Sequence, residues 1–158
     1  MSSKNVLKLT LAGLLSALLL AGSATAVVVP QRGIAGVQLG MTKAAVRGQL
    51  GKPRKIEQGS NEIGPFTTFR YPTLSITFFG GPRVTSVTTT SPTERTSRGV
   101  GVGSRTSEVL AKVAKVRCVT ESGFRHCFVG SFVPGKRVTD FTIKNGKVAR
   151  ITVGFVID

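Results

Sequence analysis

The 158-residue chain has no tryptophan, one tyrosine, one histidine and only seven aspartate and glutamate residues. A metal site needs several His, Cys or carboxylate ligands that converge on one point. Seven scattered acids and one histidine offer no such group, so we expect no metal site. No cofactor is expected either, and the chain has few of the side chains that commonly act in catalysis.

The single histidine, His126, precedes Cys127 directly. A Cys–His pair is one arrangement for nucleophilic catalysis. The other interpretation is a surface histidine on a hairpin. Side chains of neighbouring residues on a strand point to opposite faces, which argues against the catalytic pair. We therefore predict no catalytic residues and a protein that is not an enzyme.

Positive charge is abundant. The chain carries 22 lysines and arginines and a formal net charge of +15. About +13 remains if Lys4 and Lys8 leave with an N-terminal leader. Such a surface attracts polyanions, and salt screens the attraction. The alternative is that the charge only keeps the protein soluble. The partner is unknown from sequence. An anionic cell-envelope polymer or an extracellular protein would fit, and no specific nucleic acid is expected.

The first 26 residues have the three parts of a secretory signal peptide. Lys4 and Lys8 form a positive start, residues 9–20 are apolar, and Ala24-Thr25-Ala26 fits a cleavage site. The alternative is an uncleaved anchor, because residues 9–29 are about long enough to span a bilayer. We predict cleavage near Ala26 and a secreted, periplasmic or cell-envelope location.

Two cysteines, Cys118 and Cys127, lie in the stretch CVTESGFRHC. An even cysteine count in an exported protein favours a disulfide. If ESGF forms a turn, Cys118 faces Cys127 across a hairpin. The sequence therefore predicts a bond between them, and the short closed loop limits its entropic stabilisation to about 2.5–3 kcal/mol.

One phrase occurs twice, at residues 36–53 (GVQLGMTKAAVRGQLGKP) and 99–116 (GVGVGSRTSEVLAKVAKV). Each copy has alternate apolar residues, then Gly40 or Gly103 where the chain can turn sharply, then a predicted helix. Thr42 is a good N-cap for the first helix, and Gly51 can end it. Ser104 or Thr106 can cap the second helix. The predicted apolar sides are Ala44, Ala45, Val46 and Leu50, then Val109, Leu110, Val113 and Val116.

Strands are predicted after each helix. They cover 55–58, 66–71, 74–79 and 84–90, then 118–120, 125–128, 138–144 and 147–156. Asn145-Gly146 predicts a type I′ hairpin between the last two. Leu74, Ile76 and Phe78 alternate with Ser75 and Thr77, and we predict that Ile76 and Phe78 lie in the core with Val46 and Leu50. Ile76 and Phe78 match Phe141 and Ile143 at an offset of 65, so the repeat includes strands. We predict an α+β fold of two tandem units, each a short helix packed on an antiparallel sheet. The units cover 27–90 and 99–158, with a polar linker at 91–98.

The first phrase resembles a motif of small exported proteins, the β-lactamase-inhibitor-protein-like domains. The same motif appears in the small lipoprotein of the outer-membrane barrel assembly machine. The matching residues are Gly40, Met41, Thr42, Val46, Leu50, Gly51 and Pro53. The resemblance implies a helical segment followed by an antiparallel sheet, often in tandem. It also suggests a secreted inhibitor of a hydrolase.

Basic residues follow both predicted helices. Lys52, Arg54 and Lys55 follow the first, and Lys115 and Arg117 follow the second. One interpretation is that cations favour helix C-termini because of the helix dipole. The other is that these five residues form a two-part anion-binding surface. We call them the basic clusters.

Three classes of function follow from these observations. The favoured hypothesis is an exported, non-enzymatic binding module with a basic surface. The alternative is a secreted proteinaceous inhibitor of a hydrolase, as the resemblance suggests. A hydrolase is the third hypothesis, and it depends on the single histidine.

Overall fold

The computed structural model describes residues 27–157. The predicted signal peptide and its cleavage site lie outside the described residues. Within them, neither helix has the length and apolar content needed to cross a membrane.

The described chain is mostly β, with two short helices. The elements in chain order are β1 (Val28–Val29), β2 (Gly33–Ile34), β3 (Val37–Gln38), α1 (Lys43–Leu50), β4 (Lys55–Asn61), β5 (Gly64–Arg70), β6 (Leu74–Phe79), β7 (Ser86–Thr89), α2 (Thr106–Lys112), β8 (Arg117–Glu121), β9 (Phe124–Gly130), β10 (Arg137–Lys144) and β11 (Lys147–Phe155). The predicted strands thus exist with small shifts at their ends.

The predicted α+β class with two helix-on-sheet units is wrong. One antiparallel sheet contains eight strands in the order β4-β5-β6-β7-β11-β10-β9-β8, and β1, β2 and β3 form a small separate sheet. β7 pairs with β11 through Val87 and Val153. A four-stranded unit on its own would leave the backbone groups of β7 or β11 unpaired at an edge. Joining the halves satisfies those groups, so the two units share one sheet. The unit boundaries themselves stay predictions.

The repeat appears as two equivalent halves placed about the β7–β11 pair. Gly40 and Gly103 both have positive φ, at 86° and 89°. The Gly40 N–H donates to the Val84 carbonyl at 2.8 Å, and the Gly103 N–H donates to the Val148 carbonyl at 2.8 Å. Each copy of the repeated phrase therefore makes the same backbone hydrogen bond to its half of the sheet just before its helix begins.

Caps of the two helices differ. The Thr42 hydroxyl accepts the Ala45 N–H at 3.2 Å, and Gly51 ends α1 with φ 77°, as predicted. The N-cap of α2 is Arg105, whereas Ser104 or Thr106 was predicted. The Glu108 carboxylate accepts the Arg105 N–H at 2.8 Å. The Thr106 N–H donates to the Gly146 carbonyl at 2.9 Å, so a backbone carbonyl accepts a first-turn donor at the start of this helix.

Helices and the small sheet cover one face of the large sheet. Val46, Ile76 and Phe78 are buried there, as predicted, and Leu50 is half-buried. The predicted apolar sides were too wide, since Ala44, Ala45 and Leu110 are exposed. Helices of eight and seven residues turn only a narrow stripe toward the sheet, so a single valine is fully buried in each.

The turns agree with the predicted register. Asn145 and Gly146 both have positive φ, as a type I′ turn requires, and Lys144 pairs with Lys147. The β8–β9 turn is tighter than the predicted four residues, because Glu121 pairs with Phe124. Within residues 91–98, the predicted linker, Ser91, Glu94 and Thr96 are buried.

Candidate functional site

The two faces of the eight-stranded sheet differ in chemistry because strand residues alternate between them. One face carries the apolar core, including Phe69, Ile151 and Phe141. The other carries short hydroxyl side chains that are half-buried: Ser75, Thr77, Ser86, Thr88 and Thr152. We call this second side the polar face. The contacts of α1 go to the core side, where Lys43 and Arg47 lie over the rings of Phe78 and Phe69.

The registers of the seven strand pairs define one row that crosses all eight strands on the polar face. Its members in order are Lys55, Arg70, Ser75, Thr88, Thr152, Asp140, Phe128 and Arg117. We call it the cross-strand row. The hydroxyls of Thr88 and Thr152 hydrogen-bond at 3.0 Å at its centre. The repeat relates the four strands in one half of the row to the four strands in the other half. Strand β4 at one end of the row therefore corresponds to strand β8 at the other end.

The basic clusters lie at the two ends of this row. Lys55 begins the edge strand β4, with Lys52 and Arg54 just before it. Arg117 begins the opposite edge strand β8, with Lys115 two residues earlier. All five side chains belong to exposed residues. The structure thus puts Lys55 and Arg117 in equivalent places on one face. It separates the clusters by seven strand spacings, or roughly 33 Å along the sheet.

At the β4 end, one carboxylate joins two cations. Glu57 contacts Arg70 Nε at 2.8 Å and Lys55 Nζ at 3.1 Å. Hydrogen bonds from Arg70 first and Lys55 second hold the pKa of the Glu57 carboxyl below its ordinary value. Arg70 also donates to the Ser75 hydroxyl at 2.7 Å. Two cations share one anion here, so this end keeps a net positive charge.

At the β8 end, an aromatic cluster consists of His126, Phe128 and Phe132. His126 stacks on Phe128 at 5.6 Å, and Phe132 meets Phe128 edge-on at 4.8 Å. The Arg117 guanidinium lies 5.0 Å from the Phe128 ring centre. This packing orders the arginine against an apolar surface.

His126 is more constrained than the predicted surface histidine. Its Nδ1 lies 2.5 Å from Asp140 Oδ1, and Thr142 donates to the other oxygen of Asp140 at 3.1 Å. Asp140 and Phe132 were not predicted as neighbours of His126. Alternation along β10 could have placed Asp140 on the face of His126, but no local pattern joins Phe132, in a loop, to Phe128.

The predicted disulfide is confirmed, since Cys118 is bonded to Cys127. The pair is opposite across β8 and β9, as the hairpin register predicted. Cys127 is buried on the core side, whereas His126 lies on the polar face. The thiol that a Cys–His nucleophile needs is therefore consumed in the bond, and it faces away from the imidazole.

No family model and no curated protein matches this chain. Among solved structures, it is similar to an extracellular protein containing an SCP domain from Bacillus anthracis, with 7% identity and a TM-score of 0.50. A cysteine-rich secretory protein from Staphylococcus aureus gives 10% identity and a TM-score of 0.46. The alignments cover 74% of this chain and 44% of each of those chains. A DUF4309 family protein from Bacillus subtilis gives 11% identity and 0.43, covering 72% of this chain and 78% of that one. The similarity to the SCP-domain protein concerns the fold alone.

Proposed function

We propose that this protein is exported and acts as a non-enzymatic binding module for an anionic component of the cell envelope. The observation that carries the proposal is the placement of the basic clusters. These residues lie at the two ends of the cross-strand row, on the polar face. The contacts of α1 go to the opposite face of the sheet. The excess of cations over acids adds a long-range attraction for polyanions.

The non-enzymatic part of the proposal rests on the surroundings of His126. Within residues 27–157, its side-chain hydrogen bond goes to Asp140, and Cys127 is bonded to Cys118. No described hydroxyl or thiol is hydrogen-bonded to the imidazole, so a nucleophile activated by this base is missing from the arrangement.

Binding to an immobilised anionic polymer should fall by about tenfold or more when NaCl rises from about 50 to about 200 mM, because several ion contacts are screened together. Equilibrium titration of the purified protein at both salt concentrations measures this. Neutralising the five basic-cluster residues to glutamine should weaken binding by a further factor of at least about ten.

A charge-matched control distinguishes binding at the basic clusters from attraction by the net charge of the protein alone. It replaces five exposed cations away from the clusters by glutamine: Arg32, Arg98, Arg105, Lys144 and Lys147. This control should bind markedly better than the cluster variant. Equal affinities of the two variants would mean that net charge alone attracts the polymer.

A protein partner is the second candidate, in the form of an inhibitor of a hydrolase. The aromatic cluster favours it, because phenylalanine and arginine are enriched in protein–protein interfaces, and Arg117 lies over Phe128. A stoichiometric, inhibitory complex with a hydrolase that persists at high salt would support this candidate over the anionic polymer.

Export makes a prediction about the N-terminus. Expressed in a host with a secretory pathway, the protein should appear outside the cytoplasm with a chain that begins near Val27, because the cleavage pattern ends at Ala26. Mass spectrometry of the exported protein gives the start directly. A membrane-bound protein that keeps Met1 would support the anchor instead.

A further inference from the structure

We infer that the polar face binds a linear acidic glycan, laid along the cross-strand row from Lys55 to Arg117. This inference deepens the proposed function, on which it rests, by naming the ligand class and the surface. Support comes from the spacing of the cations, the chemistry between them and the relation of the two halves.

The spacing decides the length of the ligand. The two ends of the row are roughly 33 Å apart along the sheet. This distance is several times the Debye length of about 8–10 Å in ordinary salt. The clusters therefore do not reinforce each other's potential, and a small anion can use only one of them. A polymer that spans the row can use both, and its second contact then becomes intramolecular.

The chemistry between the ends decides the kind of polymer. The middle of the row consists of Ser75, Thr88 and Thr152, and Thr77 and Ser86 pair with each other in the neighbouring row. All five are small and half-buried, so they form a low floor between the longer side chains at the ends. A hydroxyl offers one donor and two acceptor positions. Even the bonded pair Thr88–Thr152 keeps hydrogen-bonding capacity for a ligand rich in hydroxyls.

The carboxylates of Glu57, beside the row, and of Asp140, within it, already have partners in the protein. Glu57 is held by Arg70 and Lys55, and Asp140 by His126 and Thr142. The charge of Glu57 is thus compensated by two cations, and both oxygens of Asp140 have a hydrogen-bond partner. Arg117 has the Phe128 ring and the Gly130 carbonyl as partners. The ends of the row consequently favour anionic groups, and the floor favours sugar hydroxyls.

The aromatic cluster makes the two ends chemically different. The β4 end offers Lys55 and Arg70 around a carboxylate, and the β8 end offers Arg117 on an apolar surface with half-exposed Phe132 beside it. An apolar ring face can stack on the less polar face of a sugar. A bound glycan should therefore contact the β8 end through both charge and stacking.

Three polymers test the inference on the wild-type protein: polygalacturonate, which has carboxylates and hydroxyls; dextran, which has hydroxyls without charge; and polyphosphate, which has charge without hydroxyls. Equilibrium binding to polygalacturonate should be at least about tenfold tighter than to either other polymer. Digalacturonate should bind at least about tenfold more weakly than the polymer, since it reaches one cluster only.

Two variants locate the site. Thr88→Val with Thr152→Val removes floor hydroxyls while keeping side-chain shape, and it should weaken polygalacturonate binding about tenfold. Its polyphosphate binding should stay unchanged. Lys55→Gln with Arg117→Gln should weaken the binding of polygalacturonate and of polyphosphate by about tenfold or more. The control, Lys144→Gln with Lys147→Gln at the exposed β10–β11 turn, should change neither affinity by more than about twofold.

The outcomes separate this inference from the proposed function. One outcome is salt-sensitive binding of polyanions that depends neither on the Thr88 and Thr152 hydroxyls nor on the length of the ligand. It would overturn the glycan site along the row but would still support the anionic binding module. Failure to bind any polyanion would overturn both. If the valine variant does not fold, as judged by circular dichroism, the chain-length comparison on the wild type still decides.

Discussion

Phe78→Ala should lower the free energy of unfolding by about 3–5 kcal/mol. The ring is 1% exposed, and its centre lies 4.8 Å from that of Phe69 in an edge-on contact. Truncation removes this contact and leaves a cavity under α1, where Lys43 lies over the same ring. A domain of this size has about 5–15 kcal/mol of stability in total, so the change removes a large part of it.

Urea denaturation of wild type and variant measures the difference. Phe124→Ala is the matched control, because the Phe124 ring is 74% exposed at the β8–β9 turn. It should change the stability by less than about 0.5 kcal/mol. A loss under about 1 kcal/mol for Phe78→Ala would contradict the burial described for this face of the sheet.

Removing the disulfide by Cys118→Ala with Cys127→Ala should lower the free energy of unfolding by about 2.5–3 kcal/mol. The bond closes a short loop, so it restricts the unfolded chain less than a long crosslink would. It also ties β8, an edge strand with one neighbour, to β9. Reduction should thus loosen β8 first, and amide exchange in residues 117–121 should rise more than exchange in β7.

Dithiothreitol provides the control for this prediction. It should destabilise the wild type by about as much as the double substitution does, and it should leave the double variant unchanged. Because β8 carries Arg117, the reduced protein should also bind anionic polymers more weakly. Equal free energies of unfolding for wild type and variant would mean that the bond contributes nothing to stability.

Local features of this protein were determined by the sequence alone. The Thr42 cap, the glycine turns at Gly40 and Gly103, the Asn145-Gly146 hairpin and the pairing of Cys118 with Cys127 were all predicted. Each depends on residues close together in the chain, where backbone conformation and hydrogen-bonding capacity are properties of the residues themselves. The alternation of Leu74, Ile76 and Phe78 placed the core side of β6 for the same reason.

The fold class and the arrangement of the site were decided only by the tertiary structure. The repeat predicted two equivalent units, but pairing of β7 with β11 joins residues more than 60 positions apart. No local pattern encodes such a pairing, because any edge strand with suitable alternation offers the same unpaired backbone groups. That single pairing turned two predicted sheets into one. It also placed Lys55 and Arg117 at opposite ends of a shared row and brought Thr88 against Thr152 at its centre.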